Sequence, residues 1–117
     1  MKFLSGFLKH YETKDGALDL DLRTRYYRNN YKVSKAAMVE VAKKLGFSIK
    51  VDDDERKEHL FKGSAGEIIV TMINITPIET AIDFTINTSG ALSFGKGKKI
   101  IVSLYNELDK QLLPIRK

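Results

Sequence analysis

The segment Gly90-Ala91-Leu92-Ser93-Phe94-Gly95-Lys96 sets two glycines and a lysine at the spacing of a phosphate-cradling loop, between a strand-like run and an amphipathic helix-like run. Loops of this kind hold anions with backbone N–H groups at a helix N-terminus. Nucleotide hydrolysis further requires a Ser or Thr hydroxyl after the lysine for Mg²⁺, and a parallel sheet around the loop. Gly97 stands where that hydroxyl belongs. The pattern therefore argues against an NTPase and leaves a milder anion-binding set: Gly95, Lys96, Gly97, Lys98 and Lys99. Each cation at the positive end of a helix typically costs about 0.3 to 1 kcal/mol, so a compensating negative group is expected. Carboxylates of this chain, or an anionic or phosphorylated ligand, would serve.

A second candidate is the stretch from Arg23 to Lys32, where Arg23, Arg25, Tyr27 and Arg28 form a candidate basic and aromatic surface. Arginines can contact phosphates while tyrosines stack on bases. Strand alternation puts Tyr26 with Leu20 and Leu22 on the buried face and Tyr27 with Arg23 and Arg25 on the other. One tyrosine among arginines, with no RNA-binding signature beside it, reads as a solvated sheet face, which argues against nucleic acid as the partner.

The acidic run Asp52-Asp53-Asp54-Glu55 lacks the alternating ligands, glycine and distal glutamate of a calcium loop and is expected to be a hairpin turn. His10 and His59 are far apart in sequence, without a helical histidine partner, so no metal site is expected. Asp83 falls by parity on the polar face of its strand with Thr85 and Asn87. No cysteine is present, which removes thiolate chemistry and disulfides and fits the cytoplasm. No nucleophile motif and no cofactor motif appears, so the chain reads as non-catalytic and free of cofactors.

Periodicity supplies the elements that would carry these groups. Phe3, Leu4, Phe7, Leu8 and Tyr11 share an arc at 100° per residue and predict a short N-terminal helix, whose bulky face favours core docking over peripheral membrane contact. Residues 18–26 alternate as a strand, and residues from about Ser34 to Leu45 form a helix stopped by Gly46. Strands follow around 47–51, 57–62, 67–76 and 80–87, then a helix carrying Ile100, Ile101, Leu104, Tyr105, Leu108 and Leu112 up to Pro114. The expected fold is α+β: a βαββββα core whose five or so strands form an antiparallel meander, with helices on one face and the extra N-terminal helix.

The 117 residues suit one domain, 1–117, with 43% hydrophobic and 30% charged residues and a formal charge of +5. No stretch reaches transmembrane length. The reading is a basic, cytoplasmic, non-catalytic binding or protein-interaction domain that meets a protein partner or a second copy of itself; the alternative is an anionic or phosphorylated ligand, nucleic acid among the candidates, at the Gly-Lys loop.

Overall fold

The computed structural model describes residues 8–89 and 95–115. An antiparallel sheet is built from β1 (Leu8–Glu12), β2 (Arg25–Tyr27), β3 (Ser48–Asp53), β4 (Glu58–Gly63), β5 (Gly66–Thr76), β6 (Glu79–Ser89) and β7 (Pro114–Ile115). Two helices complete it, α1 (Tyr31–Lys44) and α2 (Lys96–Gln111). The strand order is β3-β4-β5-β6-β2-β7, and β1 also pairs with β6. The β3-to-β6 stretch is the expected meander, so the α+β architecture stands, with seven strands where about five were expected.

The two additional strands occupy the ends of the expected sequence. Leu8–Glu12 is a strand, from Leu8 opposite Ser89 to Glu12 opposite Thr85, which corrects the N-terminal helix over those residues; residues 1–7 lie outside the described part. A short helix satisfies few of its own backbone groups, whereas the edge of β6 offers a full ladder. At the other end Pro114 and Ile115 pair with Tyr27 and Tyr26.

The strand expected over 18–26 shrinks to Arg25–Tyr27, because Leu20–Leu22 form a single 3₁₀ turn. Asp19 caps that turn by accepting a hydrogen bond from the Asp21 N–H, a local bond that competes with ladder pairing. Leu18 is consequently 97% exposed.

Helix α1 starts at the Asn29-Asn30 pair, where the Asn30 side chain accepts from the Val33 N–H at 2.9 Å. Its buried residues Ala37, Met38, Val41 and Ala42 join Ile101, Leu104, Tyr105 and Leu108 of α2. Both sets enter one cluster with Phe61, Ile68, Val70, Met72, Ile82, Phe84 and Ile86. These sheet residues alternate along β4, β5 and β6, so the helices cover one face. Among the described residues, no helix is long and apolar enough to cross a membrane.

Candidate functional site

Cross-strand partners share a face, so the register defines the surface that the helices leave open. One row across it is Val51, Leu60, Ile69 and Thr85. Beside it runs Asp53, Glu58, Thr71 and Asp83, and on the other side Lys62, Glu67 and Asn87. A further row is Ile73, Ala81, Tyr26 and Ile115. Val51 is 52% exposed and Ile73 51%. The β5–β6 hairpin extends past the register shift between Asn74 and Thr76, where Ile75 and Ile78 are also exposed. These rows place four carboxylates, Asp53, Glu58, Glu67 and Asp83, against two cations, Lys62 at 4.0 Å from Glu67 and Arg56 at 4.0 Å from Asp53. In a chain of net charge +5, the open face is thus both acidic and apolar.

Asp83 has a structural job on this face. Its Oδ1 accepts from the hydroxyls of Thr13 and Thr24, each at 2.6 Å. Thr13 also exchanges two backbone-linked bonds with Phe84 at 2.9 Å. The carboxylate so ties together the two segments that share the edge of β6.

The structure separates the candidate residues of the basic and aromatic surface. Tyr27 is 0% exposed, which removes it from any surface: the strand begins at Arg25, and Tyr27 faces the helices opposite Thr80. Its hydroxyl donates to Asp109 Oδ1 at 2.7 Å. Burial first, then that bond, pushes the phenol well above its usual range. Arg25 meets the same Asp109 at 3.1 Å and lies 4.7 Å over the Tyr105 ring. Arg23 donates through Nε to the Ala17 carbonyl, and Arg28 is exposed nearby.

Arg23 and Arg25 do line one cleft of about 580 Å³ with Asp15, Tyr26 and Asp109. Two arginines balance two aspartates there. Tyr26 donates to Asp15 at 2.6 Å, and this bond, followed by burial, pushes its phenol up to about 12.

The lysines entering α2 divide likewise. Lys98 lies 2.8 Å from Asp19 and 3.6 Å from Asp21. Its hydrogen bond holds the Asp19 carboxyl below the usual carboxylate range, helped by the Asp21 N–H. The 3₁₀ turn therefore provides the compensating charge for this lysine. Lys96 and Lys99 instead border a small cavity with Leu45, Phe47, Ala65 and Ile100. Gly95 is the N-cap, with no side-chain capping bond, and Gly97 is buried against the core. Gly90 to Phe94, the first part of the loop motif, lie outside the described residues.

A further cluster was hidden from sequence reasoning. Asp52 and His59 are direct partners across the β3–β4 hairpin, so the acidic run delivers Asp52 to the helix face beside a histidine that is only 1% exposed. Lys35 of α1 reaches Asp52 at 2.9 Å and Asp54 at 2.7 Å. Tyr31 donates to Asp54 and lies 2.9 Å from His59 Nε2. Lys35, then Tyr31, lower the Asp54 carboxyl below its usual range. Hairpin register was the signal: alternation around the expected turn would have set a carboxylate opposite His59.

No protein-family profile matches this chain, and none of the curated proteins matches it significantly.

Proposed function

We propose that this chain is a non-catalytic protein-interaction domain, working in the cytoplasm as its cysteine-free sequence allows, whose open sheet face docks a partner with a basic and apolar surface. The carrying observation is the segregation of charge: a chain of net charge +5 sets Asp53, Glu58, Glu67 and Asp83 around Val51, Leu60, Ile69 and Ile73 on the face away from the helices. Exposed apolar residues clustered within polar surroundings mark interaction surfaces. The charge then selects the occupant. A carboxylate-rich face repels lipid phosphates and nucleic-acid backbones, and it attracts and orients a cationic protein surface.

The test uses a synthetic amphipathic helix with lysines on one side and leucines on the other, titrated into the ¹⁵N-labelled protein. Amide shifts are expected at Leu60, Ile69, Ile73 and Thr85, and a Glu58→Lys/Glu67→Lys variant is expected to bind about tenfold more weakly or worse, a loss of about 1.4 kcal/mol. Shifts confined to α1 and α2, or equal affinity in the variant, would sink the proposal. Sedimentation at several concentrations covers the competing occupant: a dimer that Ile73→Lys abolishes would make that occupant a second copy of the chain.

A further inference from the structure

The proton positions around His59 lead to a cation. Tyr31 has one phenolic hydrogen, and it goes to Asp54 Oδ1 at 2.5 Å. The Tyr31 oxygen can then only accept from His59, so the Nε2 at 2.9 Å carries a hydrogen. In the neutral imidazole that metal binding requires, that N–H leaves Nδ1 as a bare lone pair. That atom is buried and has no hydrogen-bond partner. It nonetheless lies 2.9 Å from Asp52 Oδ1, a short approach without hydrogen-bond geometry. With Nδ1 bare, it and the half-exposed Asp52 carboxylate are two acceptors side by side, and an ion that both can ligate would satisfy them together. Lys35 answers the two carboxylates but leaves Nδ1 unsatisfied.

We propose that Asp52, Asp54 and His59 bind a divalent transition-metal ion of the zinc type, which takes the place of the Lys35 ammonium. Their ligand atoms already lie within 4.8 Å of one another. Bonds of about 2.0 to 2.2 Å to zinc need donors roughly 3 to 3.5 Å apart, so a modest closure of the hairpin end suffices. One imidazole with two carboxylates suits zinc or manganese; calcium takes oxygen donors alone. Tyr31 acts from behind, since an N–H donated from the far side of the ring is what orients a metal-binding histidine. Two carboxylates neutralise the ion, and Lys35 swings into water. The site is on the helix side of the sheet and does not depend on the open face.

Lys35 is thus an internal competitor, and this makes the proposal discriminating. Calorimetric titration of ZnCl₂ in a non-chelating buffer is expected to show Lys35→Met binding about tenfold or more tightly than the wild type. Asp54→Asn is expected to bind at least about tenfold more weakly, and His59→Gln to lose the site. Should the buried His59 variant fail to fold, Asp54, which is exposed, still decides. Long-range ¹H–¹⁵N spectra supply the second readout: zinc should move the His59 Nδ1 resonance and leave Nε2 protonated. An unchanged affinity in Lys35→Met or in Asp54→Asn, or a zinc response at His10 in place of His59, overturns the proposal.

Discussion

Replacing Gly66 with alanine is expected to destabilise the protein by about 3 to 5 kcal/mol, and replacing Gly46 by only about 1 to 2 kcal/mol, although both have positive φ. Gly66 has φ +140°, and a Cβ there would stand 2.2 Å from the Asn87 carbonyl oxygen and 3.1 Å from the Thr88 Cα. Both obstacles are backbone, and they belong to β6, the strand that pairs with β5, β2 and β1. Relief would require β5 and β6 to move apart where Glu67 meets Asn87. Gly46 has φ +90° with no atom within 4 Å of the added Cβ, so only the conformational cost remains. Thermal unfolding followed by circular dichroism should separate the two variants by on the order of 10 °C. Equal midpoints would show that the close approach at Gly66 relaxes without cost, and that the β5–β6 register is not held there.

The alternation of Ile82, Phe84 and Ile86 and the helical arc of Ile101, Leu104, Tyr105 and Leu108 made the centre of this fold legible. Each run is long enough to separate a period of 2 from one of 3.6, and each is buried on one side by the matching element. The ends were less legible for the same reason. Leu8 to Glu12 fits either period, and its choice depends on a vacant edge of β6 that lies more than seventy residues away. Leu18, Leu20 and Leu22 alternate correctly for a strand, yet Asp19 diverts them into a 3₁₀ turn with one local hydrogen bond.

The candidate sites followed the same division. The lysines at the start of α2 predicted a neutralising partner from dipole physics, and Asp19 and Asp21 supply it for Lys98. Their identity depended on where the 3₁₀ turn folds, which no local pattern encodes. Tyr27 faces the core because Leu20 and Leu22, folded into the 3₁₀ turn, no longer mark the buried side of its strand, and Arg25 and Tyr27 turn to the helices together. Asp52 and His59 depend on the turn instead: they become partners only once it is placed between Asp53 and Glu58.

Parity also yields the second large effect. Phe84→Ala is expected to cost about 3 to 5 kcal/mol, since its ring is 1% exposed and packs 4.8 Å from the Tyr105 ring. Thr85→Ala, one residue further on, should cost about 1 kcal/mol or less, because its side chain faces the open side in the row of Val51, Leu60 and Ile69. Urea titrations of the two variants measure the contrast directly. A domain stable by about 5 to 15 kcal/mol loses much of its margin with the first and keeps it with the second. Peptide binding should respond more on the open side: Ile69→Lys adds a positive charge among the carboxylates and is expected to weaken the cationic helix while the core beneath stays packed. If Thr85→Ala were as damaging as Phe84→Ala, the sheet would be packed on both faces and the docking surface would not exist. Stability on one parity of β5 and β6 and recognition on the other is what a sheet covered on a single side requires.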